Sequence, residues 1–204
     1  MANRLAQARS PYLRAAAHQP VAWYPWCEEA FERARREDKP ILLDIGAAWC
    51  HWCHVMDHES YDDPEVAAFI NEHFVPIKVD RDERPDVDVR YQNAVAALSG
   101  QGGWPLTAFL TPDGHVFYGG TYFPKHDRYG RPGFLRVLQS VADTYRRERD
   151  RTREVAAQLV QELRRAQTAT GPADLTETLV EEVLDGIAQA FDVRHGGFGS
   201  APKF

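Results

Sequence analysis

The sequence predicts an α/β fold in which helices cover both faces of a central mixed sheet, with further helices toward the C terminus. Three observations favour this fold. Residues 41–46 form a short apolar run that contains a single acidic residue, which is typical of a buried strand. A pair of cysteines separated by two residues follows closely, at the start of a predicted helix. A Trp-Pro pair, Trp104-Pro105, then precedes a strand and a predicted hairpin.

Caps, prolines and apolar periodicity predict the remaining elements. A helix is expected after Pro25, because proline suits a first helical turn, and Lys39-Pro40 ends it. An aromatic arm, expected to be ordered, precedes it over residues 10–26. After the cysteines we expect a helix from Asp63, a strand over 74–80, a helix over 85–98, strands over 106–110 and 115–118, one or two helices over about 133–167, a linker over 168–174 and a helix over 175–191.

Composition places the chain among ordinary globular proteins. It has 204 residues, 44% of them apolar and 26% charged, with a net charge of −6. A nucleic-acid partner is not expected, because that would call for a basic stripe. Neither an 18-residue apolar run nor the apolar core of a signal peptide is seen, so we expect a cytoplasmic protein with no membrane partner. The odd cysteine count argues against a disulfide framework, and Cys27 is expected to be structural.

The motif Cys50-His51-Trp52-Cys53 carries the predicted chemistry. Unpaired N–H groups at a helix N terminus stabilise a thiolate, which is the attacking species in disulfide exchange. Cys50 is predicted to be the exposed nucleophile. Cys53 is predicted to be the buried thiol that resolves the mixed disulfide formed with a protein or a small molecule.

Neighbouring residues extend this site. A buried Asp44 could take the proton of Cys53, and a protonated His51 would favour the thiolate. A cis bond between Trp104 and Pro105 would expose backbone for pairing with a substrate strand. The sequence leaves two other interpretations open, namely that Asp44 points to solvent and that Trp104-Pro105 serves only turn packing.

The same residues permit two other sites. Cys50 to His54 fits the haem-attachment pattern C-x-x-C-H, for which Met1 or Met56 would have to supply the thioether ligand. His51, His54 and His58 lie at helical spacing near the cysteines, a combination that suits zinc or copper. The redox interpretation is favoured over both, so neither a cofactor nor a metal is expected.

Long stretches of the chain resemble the family labelled domain of unknown function 255, which includes the spermatogenesis-associated protein 20 group. The matching stretches are residues 10–13, 20–21, 23–26, 39–41, 50–56, 58–60, 78–81, 83–86, 100–107, 109–114 and 119–124. The arm departs from the family pattern at Ala16, Gln19 and Ala22. Trp49 replaces the usual small polar residue, as it does in ordinary thioredoxins, and is expected to contact substrate.

The resemblance implies a thioredoxin-like domain followed by a helical toroid similar to those of six-hairpin glycosidases and sugar epimerases. On this basis residues 1–130 are the thioredoxin-like domain with its arm, 131–168 a long connecting helix, and 174–204 the first helix of an incomplete toroid. The expected function is that of a thiol–disulfide oxidoreductase domain. The alternative is a redox-sensing or partner-binding module without turnover, attached to the helical domain.

Overall fold

The computed structural model describes residues 3–128, 130–168 and 177–198. The chain divides into two compact units, Met1–Arg165 and Ala166–Phe204. The predicted linker lies almost wholly outside the described residues, as does the end of the chain from residue 199.

A four-stranded mixed sheet forms the centre of the first unit. Its strands are β1 (Ile41–Gly46), β2 (Val75–Asp80), β3 (Leu106–Leu110) and β4 (Val116–Gly120). They lie in the order β2-β1-β3-β4, with β1 and β2 parallel and the other two pairs antiparallel. All four predicted strands are confirmed, and the hairpin of β3 and β4 is closed at Thr111–Gly114 by a backbone hydrogen bond of 2.8 Å.

Helices connect the strands and follow them. They are α1 (Pro11–Ala15), α2 (Glu28–Glu37), α3 (His51–Met56), α4 (Pro64–His73), α5 (Pro85–Ser99), α6 (Phe134–Arg147), α7 (Arg149–Thr168) and α8 (Glu177–Ala190). The stretch after Pro132 is two helices, because the backbone leaves the helical conformation at Glu148, with φ −124° and ψ 41°.

The sheet separates two apolar clusters, as the alternation of side chains along a strand requires. Leu42 and Phe109 face a cluster that includes the two motif cysteines and residues of α1, α4 and α6. Ile41, Leu43 and Ile45 face the opposite cluster, which includes residues of α2 and α5. By the same alternation Asp44 lies on the side of the motif cysteines.

The aromatic arm is ordered, as predicted. The side chain of Ser10 caps α1 by accepting from the N–H of Leu13, and it also donates to Asp80 at 2.5 Å. Farther along, Tyr24 extends the sheet beyond β2. Its N–H donates to the carbonyl of Pro76 and its carbonyl accepts from the N–H of Lys78, both at 2.9 Å. The arm therefore covers the outer edge of β2 and contributes side chains to the core.

The second unit contains α8, and an antiparallel bridge joins Phe191 to Phe198 after it. In the parts of the chain that the structure describes, no helix has both the length and the apolar composition needed to cross a bilayer.

Candidate redox site

Cys50 and Cys53 form a disulfide at the start of α3. Cys50 is the capping residue of this helix, and its Sγ accepts a hydrogen bond from the N–H of Cys53 at 3.2 Å. The predicted position of the motif, between β1 and a helix, is confirmed. Cys27 is a free, partly exposed thiol that packs against the cluster on the other side of the sheet.

The predicted exposure of Cys50 is wrong for the disulfide form. Cys50 is 5% exposed and Cys53 is 2% exposed, because both belong to the apolar cluster that packs against the sheet. The indoles beside them are exposed instead, at 59% for Trp49 and 49% for Trp52. The exposed surface of the motif is therefore formed by the two tryptophan rings and not by the sulfurs.

Asp44 is buried, so the interpretation in which it points to solvent is wrong. One carboxylate oxygen, Oδ2, accepts from Lys78 Nζ at 2.6 Å and from the Tyr12 hydroxyl at 3.2 Å. The other, Oδ1, accepts from the Tyr61 hydroxyl at 3.2 Å. Burial raises the pKa of Asp44, and the charge of Lys78 only partly opposes that rise. A carboxyl with a raised pKa is a better proton acceptor for a thiol than an ordinary one.

Lys78 is fully buried beside Asp44, and sequence reasoning missed it. It is the register partner of Asp44 on the adjacent strand, and its Nζ also donates to Asp57 at 2.9 Å. The rings of Tyr12, Trp23 and Tyr61 surround it at 4.7 to 5.2 Å. The two carboxylates raise the pKa of Lys78 although burial opposes this. The available signal was a lysine between the apolar residues Ile77 and Val79 of a predicted buried strand.

The absence of a side chain at Gly46 leaves room for Tyr12 of the arm and for Cys53. A Cβ built on Gly46 would lie 2.3 Å from the Tyr12 hydroxyl oxygen and 2.7 Å from Cys53 Sγ, closer than real Cβ atoms approach their neighbours. Both atoms therefore occupy the space that any larger residue would fill. The Tyr12 hydroxyl and the sulfur of Cys53 thus flank the same point, and the hydroxyl also donates to Asp44.

The peptide bond between Trp104 and Pro105 is cis. Pro105 is buried, whereas Trp104 is partly exposed and packs edge-on against Trp49 with ring centroids 5.6 Å apart. Trp104 also donates its indole N–H to Asp88 at 2.9 Å. A groove of about 620 Å³ begins at this indole and at Trp52, so it borders both the motif and the Trp-Pro pair.

The three histidines are placed differently from what the alternative metal site would require. His51 is exposed and lies against Trp52, with ring centroids 5.7 Å apart. His54 Nε2 lies 2.8 Å from the carbonyl oxygen of Ala48, and His58 Nδ1 lies 3.1 Å from Asp62. After Met56 the helix changes to a π-helical turn, which breaks the assumed spacing. Among the described residues, no three His, Cys, Asp or Glu side chains are grouped to hold a metal.

Buried tyrosines are expected to lower the free energy of unfolding at alkaline pH. Burial raises the pKa of Tyr12 and Tyr61 well above the ordinary 10.0, and it raises the pKa of Tyr91 to about 12. The folded state thus retains protons that the unfolded chain loses. We expect the free energy of unfolding to be insensitive to these groups below pH 10.0 and to fall as the pH rises above it.

Denaturant unfolding on either side of that pH measures this decline. The Tyr91→Phe variant should show a shallower decline, because it removes one of the phenols. An equally steep decline in the variant would contradict this assignment for Tyr91.

The strand order, the cysteine pair at the start of α3 and the cis Trp-Pro bond before β3 define a thioredoxin-like protein. The chain belongs to the family described as "Protein of unknown function, DUF255", whose model matches residues 2–164. The resemblance noted from the motifs is thereby confirmed.

Relatives in animals match almost the whole chain. An uncharacterized protein of Caenorhabditis elegans is 46% identical over 202 residues, which are 99% of this chain and 28% of that protein. Human spermatogenesis-associated protein 20 is 41% identical over 206 residues, which are 99% of this chain and 26% of that protein. The chain thus spans about a quarter of the length of these relatives.

Solved structures with similarity to the chain include redox proteins. One titled DsbH oxidoreductase has a TM-score of 0.45 and 19% identity, covering 62% of this chain and 85% of its own. A thioredoxin from Thermus thermophilus has a TM-score of 0.43 and 24% identity, covering 61% and 89% respectively.

Proposed function

We propose that the chain is a thiol–disulfide oxidoreductase module acting through Cys50 and Cys53. The observation that carries the proposal is the position of the pair at the start of α3, on the same side of the sheet as the buried carboxylate of Asp44. A nucleophilic thiol needs a group that stabilises the thiolate, and the second thiol needs a base. The Cys53 N–H and Asp44 supply these two requirements.

The exchange proceeds in two steps. The Cys50 thiolate attacks one sulfur of a substrate disulfide, forms a mixed disulfide and releases the other substrate sulfur as a thiolate. Cys53 loses its proton toward Asp44 and attacks the Cys50 sulfur, which breaks the mixed disulfide and releases the second substrate thiolate. Two electrons pass from the cysteine pair to the substrate, and the reverse sequence oxidises a dithiol.

Three further residues have proposed roles in substrate binding. Trp49 and Trp104 form an aromatic surface beside Cys50, with the guanidinium of Arg81 5.0 Å from the centroid of the Trp104 ring. Outside the helices and strands, no hydrogen bond among the described residues uses the backbone N–H or carbonyl of Trp104. We propose that these groups pair with an extended substrate and that buried Pro105 fixes their direction.

His51 has a different proposed role: when protonated, it favours the thiolate of Cys50.

A redox-sensing or partner-binding module without turnover is the second candidate. The specific observation in its favour is the 5% exposure of Cys50, which limits the approach of a folded substrate. In this version the disulfide sets the conformation of a surface that a partner recognises. A disulfide substrate, whether protein or small molecule, belongs to the first candidate only.

We further propose a cytoplasmic location and an attached helical toroid in the longer protein. The odd number of cysteines supports the cytoplasmic location, because secreted domains that depend on disulfides tend to pair their thiols. Relatives about four times longer support the second. Fractionating cells that produce the whole protein tests the location, and the structure of the longer chain tests the toroid.

The test of function is the pH dependence of alkylation of Cys50 in the reduced protein, with Cys27→Ser and Cys53→Ser as background. We expect a thiol pKa clearly below the free value of about 8.5. The reason is that the Cys50 thiolate accepts a hydrogen bond from the backbone N–H of residue 53, which the serine variant keeps. His51→Gln should move this pKa upward, whereas His54→Gln serves as the matched control. A Cys50 pKa at or above the free value would contradict catalysis and favour the module without turnover.

A further inference from the structure

The hydroxyl of Tyr12 lies near both groups that must exchange a proton. It donates to Asp44 Oδ2 at 3.2 Å, and the Cβ position of Gly46 lies 2.3 Å from its oxygen and 2.7 Å from Cys53 Sγ. In the disulfide form, no hydrogen bond among the described residues joins Cys53 Sγ to Asp44, and none joins that sulfur to the Tyr12 hydroxyl. A proton that passes from the sulfur to the carboxylate therefore needs an intermediate group. A hydroxyl suits this task because it accepts and donates at once.

We propose that the Tyr12 hydroxyl relays the proton of Cys53 to Asp44 when Cys53 resolves the mixed disulfide. The inference rests on the proposed oxidoreductase function and assigns a catalytic role to the arm. The S–H bond of Cys53 breaks as its proton binds the Tyr12 oxygen, and the proton already on that oxygen passes to Asp44 Oδ2. Tyr12 is neutral before and after the step, Cys53 becomes a thiolate, and Asp44 becomes a neutral acid.

The surroundings favour this route over ionisation of the phenol. Tyr12 is buried beside the carboxylates of Asp44 and Asp57, so a phenolate there is strongly disfavoured. Lys78 forms an ion pair with each of these carboxylates, and its positive charge balances part of their negative charge. A concerted relay needs no charge on the ring.

Tyr61 provides the matched control. Its hydroxyl donates to Asp44 at the same 3.2 Å and it is equally buried, but it binds the other carboxylate oxygen. The two tyrosines also differ in their distance from Gly46. The three atoms nearest to a Cβ on Gly46 belong to Tyr12 and Cys53, and none belongs to Tyr61. Removing either hydroxyl deletes one hydrogen bond to Asp44, and only Tyr12→Phe deletes the relay.

The experiment follows one turnover of the reduced protein in a Cys27→Ser background with one equivalent of a chromogenic aromatic disulfide. Attack by Cys50 releases a first coloured thiolate, and resolution by Cys53 releases a second. We expect Tyr12→Phe to slow the second phase by at least about tenfold, since a positioned acid–base group contributes that much or more. The first phase should be unchanged in both variants, and Tyr61→Phe should slow the second phase much less than Tyr12→Phe does.

Two further outcomes make the test decisive. A second phase that is equally fast in Tyr12→Phe, or slowed equally in Tyr61→Phe, would overturn the relay. A first phase no faster than that of an ordinary thiol would instead contradict the oxidoreductase function itself. Should Tyr12→Phe fold poorly, the solvent deuterium isotope effect on the second phase of the background protein decides: a normal effect is expected, and its absence overturns the relay.

Discussion

Replacing Lys78 by methionine is expected to lower the free energy of unfolding by about 3–5 kcal/mol, the usual cost of removing one partner from a buried ion pair. Methionine has nearly the volume of the lysine stem, so the loss reflects charge more than packing. The variant leaves Asp44 and Asp57 without the ammonium that both contact. Denaturant unfolding of the oxidised protein measures the change.

The pH dependence of this loss identifies its cause. Without Lys78, the pKa of Asp44 rises further in the folded state, while the unfolded chain keeps the ordinary value of 3.8. The variant therefore loses stability as the pH rises above that value and is closest to the unaltered protein in acid. Adding Asp44→Asn should restore part of the loss at neutral pH.

The matched control is Lys125→Met, which removes a partly exposed ion pair to Asp63 with an N–O distance of 2.8 Å. Exposed pairs contribute about 0–1 kcal/mol, so little change is expected. If Lys78→Met were no more destabilising than Lys125→Met, the buried cluster would not hold the charges described above.

Replacing Gly46 by alanine is expected to cost about 1–3 kcal/mol of stability, as overpacked substitutions in a core do. The added methyl would collide with the Tyr12 hydroxyl and with Cys53 Sγ. Both approaches are too short for a real Cβ, so the packing of the arm and the disulfide around this point must shift. On the proposed relay, the same variant should also slow resolution of a mixed disulfide, because Tyr12 is displaced relative to Cys53.

Gly186→Ala in α8 is the control for this variant, because a Cβ at Gly186 meets nothing within 4 Å. It should leave both the unfolding of the first unit and the thiol chemistry unchanged. Equal behaviour of the two variants would show that Gly46 tolerates a side chain and that the close approach is not required.

The order of elements was predictable because it depends on local signals. Pro64 and Asp63 begin α4, the apolar run of β1 reads as a buried strand, and the cysteines mark α3. The buried cluster was only half predictable. Asp44 is conspicuous within its strand, but its partner Lys78 depends on strand register, and Tyr12 comes from a distant segment.

The exposure of Cys50 was mispredicted for a related reason. Position at a helix start indicates a reactive thiol but says nothing about which side chains pack over it. The break of α3 into a π-helical turn likewise has no local signal such as proline or glycine, and it determined where His58 lies. Packing between segments that are distant in the sequence could not be predicted from local patterns.

The ordered arm has a consequence for where this protein can be shortened. Trp23 donates to Gln19, Gln19 donates to Asp57, and Tyr24 holds the outer edge of β2. A fragment trimmed to the elements from α2 onward would keep both cysteines and the whole sheet, but it would lose Tyr12 and Trp23, whose rings pack around the buried Lys78. The smallest fragment expected to fold with this site intact therefore includes the arm as well as the sheet and helices of the fold.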